Sequence, residues 1–233
     1  MNSSSLEEQI SSLASKLSSA ERENLKLIFS MAAGGYLSGH TGFKGQENDK
    51  NALLTAQKVL PLLQKQPKIE IQNGIIFRGK APFFSDEDLH ALDRESNEYR
   101  SKAGRFHDHY VSSGAPVARE ISLSDKIHHF LENNVGGVIP TFRANYLYYD
   151  APGLGIDPHV DKDEFSLNIL TMLEHEGPKN SHLILHPPGQ ESIKLYLEKY
   201  ETLVFLADRV THQRIRTTLN EKIRLVSFGY KLI

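Results

Sequence analysis

The spacing of apolar residues divides the chain into two parts with different periodicities. In the first part, apolar positions recur at three- and four-residue steps, beginning with Leu6, Ile10 and Leu13, which is the repeat of one helix face. Ser18, followed three residues later by Glu21, predicts a capping box inside this region. The pattern predicts helices over residues 1–33, 51–67, 85–104 and 122–137.

The second part, from residue 138 onward, consists of short apolar runs separated by turn residues. Examples are "FSLNILTML", "ETLVFLA" and "KIRLVSFGYKLI". Runs of this length and spacing predict an antiparallel barrel or sandwich. Earlier in the chain, "KIEIQNGIIFRG" (68–79) predicts two strands joined by an Asn-Gly turn. We expect one domain over 1–233, in which a mainly helical part (1–137) packs on a β-barrel catalytic core (138–233).

Composition excludes several classes of chemistry. The chain contains no cysteine, which rules out disulfides, zinc-thiolate sites and cysteine nucleophiles. Lys and Arg number 27 against 29 Asp and Glu, so no basic surface for a nucleic acid is indicated. The N-terminus has no secretory pattern, and no apolar run approaches the roughly 18 residues that a membrane span needs. A cytoplasmic protein with neither nucleic-acid nor membrane partners is expected.

The stretch "DPHVDKDEF" (157–165) carries the strongest candidate for chemistry. Residues i and i+2 of a strand point to the same face, so His159 and Asp161 are expected to project together. His212, which follows the apolar run "TLVFLA", is the best candidate for a third ligand. Two imidazoles and one carboxylate form the facial triad of non-haem Fe(II) oxygenases. These three residues are the predicted metal ligands and catalytic centre.

An oxygenase of this kind also needs a cation for the far carboxylate of its cosubstrate. Arginine matches a carboxylate with two parallel hydrogen bonds, and Arg224 lies twelve residues after His212 in the last strand. Arg224 is therefore the first choice, Lys222 shares its face as a reserve, and Arg214 and Arg216 are weaker alternatives.

These motifs together resemble the Fe(II)/2-oxoglutarate-dependent dioxygenases. The approach "YYDAPGLGIDPHVD" is similar to prolyl-hydroxylase-like members, and "ETLVFLADRVTHQRI" with "IRLVSFGYKL" resembles the end of their barrel. Fainter similarities to bacterial free-amino-acid hydroxylases, such as isoleucine dioxygenase, lie in "HVDKDEFSLNILTML" and "SFGY". The resemblance covers residues 138–231. It departs in the last strand, where the family often has Arg-x-Ser but Arg224 and Ser227 are expected to face opposite ways.

The resemblance implies an α+β fold, a double-stranded β-helix (jelly-roll or cupin-like barrel) with an N-terminal helical layer. It implies Fe(II) and 2-oxoglutarate as cofactors, with O₂ consumed and succinate and CO₂ released. Because Asp161 is present, hydroxylation is expected rather than halogenation, while desaturation and cyclisation stay open. The expected substrate is a small molecule, such as an amino acid or a natural-product intermediate. The alternatives are a peptidyl side-chain hydroxylase and a cupin-like metal-binding barrel that acts as an isomerase or binding protein.

Several other polar residues allow two interpretations. Tyr146, Tyr148 and Asn168 could bind the cosubstrate or could satisfy partners within the core. Arg143 could pair with a substrate carboxylate or form a surface ion pair. Two further histidine groups, in "RFHDHY" (105–110) and "SHLILHP" (181–187), are interpreted as local polarity, although the first could line the site.

Overall fold

The computed structural model describes residues 71–161 and 165–232, together with residues 12, 15–18 and 21. Most of the helices predicted before residue 68 lie outside the described residues. The predicted capping box is within them. The backbone N–H of Glu21 donates to Ser18 Oγ at 3.2 Å, and the Glu21 carboxylate accepts from the backbone N–H of Ser18 at 2.9 Å.

Within residues 71–161 and 165–232, three α-helices precede the main β-structure. They are α1 (Asp86–Tyr99), α2 (Pro116–Ser122) and α3 (Asp125–Val135), with 3₁₀ turns at Gln72–Gly74 and Arg100–Lys102. Helix α1 begins after Ser85, whose hydroxyl accepts from the Asp88 backbone N–H while the Asp88 carboxylate accepts from the Ser85 N–H. The helix predicted over 122–137 is α3, and the pattern missed α2.

The described part of the chain contains eleven strands in two sheets. They are β1 (Ile75–Lys80), β2 (Gly104–Phe106), β3 (His109–Ser113), β4 (Val138–Tyr149), β5 (Ile156–His159), β6 (Leu167–Glu176), β7 (Leu183–His186), β8 (Ile193–Leu195), β9 (Glu201–Leu206), β10 (Thr211–Arg214) and β11 (Lys222–Leu232). The larger sheet has the order β1-β9-β6-β11-β4-β3-β2, and the smaller one has the order β5-β10-β7-β8. All of the pairings are antiparallel.

The two sheets enclose a cavity that is lined from both sides. Strand β11 lies at the centre of the larger sheet, between β6 and β4, and is buried along nearly its whole length. Its outer face is covered by α1, through contacts such as the ion pair between Arg224 and Asp93. This arrangement confirms the predicted α+β double-stranded β-helix, although the two sheets do not join into a closed barrel.

The part of the chain expected to be mainly helical also supplies β1, β2 and β3. Of the predicted hairpin at 68–79, the turn and the second strand are seen, with positive φ at Asn73 and Gly74 leading into β1. Strands β2 and β3 form a hairpin that extends the larger sheet beyond β4. In the described ranges, no helix is long and apolar enough to cross a membrane.

Candidate metal centre

Two neighbouring strands of the smaller sheet bring the candidate ligands together. Strands β5 and β10 pair antiparallel, and His159 stands directly opposite His212. Their ring centroids are 4.2 Å apart. Asp161 follows the end of β5, where its backbone N–H donates to the Ala207 carbonyl at 2.8 Å. The pairing places all three side chains next to one another in the wall of the cavity.

The ligand atoms of these residues converge on one point. Asp161 Oδ1 lies 3.6 Å from His159 Nε2 and 3.8 Å from His212 Nε2. All three atoms lie within 4.8 Å of one another. The other ring nitrogens face backbone carbonyls, with His159 Nδ1 2.8 Å from the Asp157 oxygen and His212 Nδ1 3.0 Å from the Val210 oxygen. Because a carbonyl can only accept, each Nδ1 carries the proton and each Nε2 is a bare acceptor.

The electrostatics of this cluster suit a cation. Burial lowers the pKa of His159 to about 4 and that of His212 well below its usual value, so both imidazoles are neutral at pH 7. Burial also raises the pKa of Asp161 to about 8, and its hydrogen bond from Asn168 opposes that shift. Three acceptors that face one another are stabilised by a divalent ion between them, and an N₂O donor set suits Fe(II). Binding such an ion releases the Asp161 proton.

Asn168 supports the carboxylate ligand from the larger sheet. Its Nδ2 donates to Asp161 Oδ2 at 3.3 Å, and its Oδ1 accepts from Ser227 Oγ at 3.0 Å. The polar position inside an otherwise apolar strand therefore orients Asp161. This hydrogen bond is the kind of outer contact that metal-ligating carboxylates usually have.

A cavity of about 400 Å³ opens beside the three ligands. Its walls are side chains of β2, β3, β4, β6, β9 and β11 from the larger sheet and of β5, β7 and β10 from the smaller one, together with residues next to β5 and β6. Volumes of this size are typical of small-molecule sites. The lining is mostly apolar, and among the residues that the structure describes its charged members are Asp161, Arg143 and Arg214.

Arg214 is the buried cation next to the candidate ligands. It lies two residues after His212 on the same face of β10, about 7 Å along the strand, and is only 4% exposed. Its guanidinium carbon is 5.3 Å from the ring centre of Tyr149, so the cation lies over the aromatic ring. Burial raises the pKa of Tyr149 to about 12, so its hydroxyl is neutral at pH 7, and burial lowers the pKa of Arg214. Arginine side chains are not deprotonated in proteins, so Arg214 is a cation. Sequence reasoning ranked Arg214 low and missed Tyr149.

Arg224, the predicted cosubstrate anchor, points away from the cavity. Its guanidinium pairs with Asp93 at 2.7 Å and with Glu174 at 3.5 Å, and it donates to Asn97. The neighbouring Leu225 lines the cavity instead. Since adjacent residues of a strand face opposite sides, Arg224 contacts α1 and does not line the cavity.

Lys222 and Arg216, which the sequence offered as alternatives to Arg224, also lie outside the cavity. Lys222 is exposed and pairs with Glu176 at 3.6 Å. Arg216 forms ion pairs of 2.8 Å with Asp108 and Asp157, and it does not line the cavity. It ties the tip of the β2–β3 hairpin to β5.

Tyr146 and Tyr148 also face α1 instead of the cavity. The Tyr146 hydroxyl donates to Glu95 at 2.7 Å, and the Tyr148 hydroxyl donates to the Ser96 carbonyl at 2.7 Å. Burial raises the pKa of both hydroxyls. They therefore serve core packing, and the alternate residues Asn145, Leu147 and Tyr149 form the cavity wall.

His109 lines the cavity, in agreement with the alternative interpretation of the histidine group in "RFHDHY". It is 2% exposed, its ring stacks on Tyr149 with centroids 5.2 Å apart, and its Nδ1 has no hydrogen-bond partner among the described residues. Burial, then the proximity of His159, lowers its pKa to about 4. His182 and His186 lie outside the cavity lining, and His186 bonds Ser192 and Gln213.

Comparison with known proteins rests on structure alone, because no family model and no curated protein sequence matches the chain. Among solved structures, the α-ketoglutarate-dependent epimerase SnoN from nogalamycin biosynthesis is similar with a TM-score of 0.58, 13% identity, and coverage of 68% of this chain and 76% of that one. A prolyl-4-hydroxylase from Pseudomonas putida gives a TM-score of 0.54 at 13% identity, covering 78% and 100% of the two chains. A 2OG-Fe(II) oxygenase family oxidoreductase from Burkholderia pseudomallei gives 0.53 at 16% identity, covering 64% and 80%.

The chain therefore has the fold of the Fe(II)- and 2-oxoglutarate-dependent oxygenases. The family resemblance seen in the sequence is confirmed at the level of fold. The cluster of two histidines and one aspartate lies at the wall of the cavity that this fold encloses.

Proposed function

We propose that this protein is an Fe(II)- and 2-oxoglutarate-dependent oxygenase, with His159, Asp161 and His212 as its metal ligands. The observation that carries the proposal is the convergence of two unprotonated Nε2 atoms on one carboxylate oxygen, at 3.6 Å and 3.8 Å. Each Nδ1 is engaged by a backbone carbonyl, so both lone pairs are fixed toward the same point. A facial set of this kind leaves metal positions open for other ligands.

Arg214 is the proposed anchor for the far carboxylate of 2-oxoglutarate. It follows His212 by two residues on the same strand face, which is about the span of a short dicarboxylate bound to the metal at its other end. Its burial makes a charge-assisted pair with a carboxylate strong, and the ring of Tyr149 lies 5.3 Å from the guanidinium carbon. Arg214 thus takes the role that the sequence assigned to Arg224.

Fe(II), 2-oxoglutarate and O₂ together would supply the oxidant for an unactivated C–H bond, with succinate and CO₂ as co-products. The chain's own residues hold and orient these components. Asn168 fixes the Asp161 carboxylate, and the apolar walls formed by Leu170, Phe205 and Leu225 limit the access of water. Because Asp161 occupies the third ligand position, we expect hydroxylation rather than halogenation.

The donor set disfavours the cupin-like alternative. Cupins tend to use more histidines and a glutamate, whereas the only candidate metal cluster in the described ranges holds two histidines and one aspartate. A small-molecule substrate is the first choice, since the cavity is about 400 Å³ and must also hold the cosubstrate.

Turnover of 2-oxoglutarate tests this proposal. Purified protein with Fe(II) and O₂ should release succinate from 2-oxoglutarate, and Asp161→Ala should abolish that release while leaving the fold intact by circular dichroism. The matched control is Asp125→Ala, at the first residue of α3 and outside the cavity lining, which should keep wild-type turnover. Succinate release that is independent of iron, or undiminished in Asp161→Ala, would contradict the proposal.

A further inference from the structure

We propose that His109 binds the cosubstrate by donating a ring N–H to a carboxylate oxygen of 2-oxoglutarate. This inference rests on the oxygenase function proposed above, and it adds a second cosubstrate contact to the one assigned to Arg214. It concerns the wall of the cavity formed by β3 and β4, where His109 and Tyr149 contribute neighbouring side chains.

Two aromatic contacts fix the plane of the His109 ring. One face of the ring is stacked on Tyr149, with the centroids 5.2 Å apart and the planes 17° from parallel. Phe106, which stands opposite His109 on β2, makes an edge contact with centroids 5.7 Å apart. Because the ring is held by these contacts, a hydrogen bond from it must leave along its edge, in the plane of the ring.

The ring nitrogens of His109 have no hydrogen-bond partner among the described residues. The side chain lies in a residue that is only 2% exposed, and its Nδ1 is fully buried. A buried polar group costs free energy unless it is hydrogen-bonded, and a phenylalanine would stack on Tyr149 without that cost. A histidine always carries at least one ring N–H. The imidazole at this position is therefore explained by a partner that arrives with a ligand.

His109 lies beside the position proposed for 2-oxoglutarate. The ring of Tyr149, on which it stacks, is centred 5.3 Å from the guanidinium carbon of Arg214. Burial is the main cause of the lowered pKa of His109, and His159 and Arg214 also contribute, because both side chains lie near its ring. The first is a proposed metal ligand, and the second is the proposed cosubstrate anchor. A molecule that spans these two residues would pass the edge of the His109 ring.

The chemistry of this part of the cavity favours a carboxylate oxygen as the acceptor. An imidazole N–H donates, both ends of 2-oxoglutarate carry carboxylate oxygens, and a hydrogen bond to a carboxylate is stronger than one between neutral groups. The residues that flank Arg214 across the strands, Ile156 and Leu183, line the cavity with apolar side chains and offer no competing acceptor. Arg214 thus supplies charge, and His109 supplies a directional hydrogen bond.

His109 should therefore have opposite effects on the free protein and on its complex with 2-oxoglutarate. In the free protein its unbonded nitrogen destabilises the fold, whereas in the complex its ring N–H stabilises the bound cosubstrate. Replacing His109 by phenylalanine should raise the Tm of the cosubstrate-free protein and weaken cosubstrate binding. A residue that serves packing alone would not separate these two properties in this way.

Anaerobic calorimetric titration of 2-oxoglutarate into the Fe(II) protein tests the proposal. His109→Phe keeps the ring stack but has no N–H, so its Kd for 2-oxoglutarate should be at least about ten-fold higher than that of wild type. His109→Gln provides an N–H donor at a similar reach, and its Kd should fall between the two. The affinity of both variants for Fe(II) should equal that of wild type, because His109 is not one of the proposed ligands.

The order of the two variants separates hydrogen bonding from packing. If His109 only packed on Tyr149, phenylalanine would be the better replacement, and His109→Phe would bind 2-oxoglutarate at least as tightly as His109→Gln. If the ring N–H binds the cosubstrate, His109→Gln is the tighter binder. His129→Phe, at an exposed position on α3 outside the cavity lining, is the matched control and should keep the wild-type Kd.

The same titrations distinguish failure of this role from failure of the oxygenase function. If wild type and His109→Phe bind 2-oxoglutarate equally tightly, the role of His109 is overturned and the oxygenase function stands. The same conclusion follows if His109→Phe binds at least as tightly as His109→Gln. If wild type with Fe(II) does not bind 2-oxoglutarate, both proposals are overturned.

Discussion

Asn168 donates a hydrogen bond of 3.3 Å to Oδ2 of Asp161, the carboxylate oxygen that does not face the two imidazoles. One oxygen is thereby held by the larger sheet while the other is left for the metal. The same amide accepts from Ser227 Oγ, so its orientation is fixed as well. The metal centre is thus built jointly by both sheets, although its ligands all come from the smaller one and the loops that flank it.

Removing this support should weaken metal binding. Asn168→Ala frees the Asp161 carboxylate to rotate, and the affinity for Fe(II) should fall by about 10- to 100-fold. Anaerobic calorimetric titration measures it. Ser227→Ala, which removes only the outer bond, should have a smaller effect. Equal affinity of Asn168→Ala and wild type would show that the contact does not orient the ligand.

Substitutions of Arg214 and Arg224 should affect different properties: cosubstrate binding for Arg214 and stability of the fold for Arg224. Arg214→Gln removes the proposed anchor and should raise the cosubstrate KM by at least about 30-fold, as expected for truncating one partner of a buried charge pair. Arg224→Gln should leave that KM unchanged but lower the free energy of unfolding by about 1–3 kcal/mol, because Asp93 loses its 2.7 Å partner. Steady-state kinetics and urea denaturation of both variants measure the two effects. The opposite pattern would restore the role first assigned to Arg224.

His109 should make the metal-free protein less stable in acid. Its pKa is about 4 in the folded protein and near 6.5 in an unfolded chain, so the unfolded state takes up the proton first as the pH falls. Stability is therefore lost between about pH 6.5 and pH 4. His109→Phe keeps the stacking on Tyr149 and removes an unpartnered buried nitrogen. The unfolding free energy of this variant relative to wild type should increase toward pH 4, and a difference that is constant with pH contradicts the assignment.

Position 229 requires a glycine because the ring of Phe165 occupies the space where a Cβ would lie. Phe165 lines the cavity and follows Asp161 by four residues. A Cβ at Gly229 would lie 1.4 Å from that ring, so Gly229→Ala must displace Phe165. We expect a loss of about 1–3 kcal/mol in the free energy of unfolding and a reduced rate of succinate release. Gly104→Ala has nothing within 4 Å of its new Cβ and is the matched control. Chemical denaturation of the two variants compares them directly.

The barrel and the three converging residues could be anticipated because their signals are local. Short apolar runs predict strands, and the two-residue spacing of His159 and Asp161 puts both on one side of the chain. His212 stands out as a histidine directly after an apolar strand. The structure brings these three side chains together.

The cosubstrate side could not be anticipated because β11 and the end of β4 at Tyr148 and Tyr149 are buried on both faces. One face meets the cavity and the other meets α1, so alternation of polarity does not reveal which is which. Arg224 is nearly as buried as Leu225, and Tyr148 is as buried as Tyr149. Ser227 was the one signal in the sequence that Arg224 faces away from the site. The three-residue spacing puts Ser227 on the opposite face from Arg224, and in the structure Ser227 lines the cavity. Strands β2 and β3 were missed because they are short, and because β2 is exposed and β3 only partly buried.

The most direct test of the central claim is the visible spectrum of the anaerobic Fe(II) protein as 2-oxoglutarate is added. If the three residues hold Fe(II) and Arg214 holds the cosubstrate against it, a charge-transfer band should appear and saturate. In Arg214→Gln the band should need at least about 30-fold more 2-oxoglutarate. Absence of the band in wild-type protein that has bound Fe(II) would contradict the account.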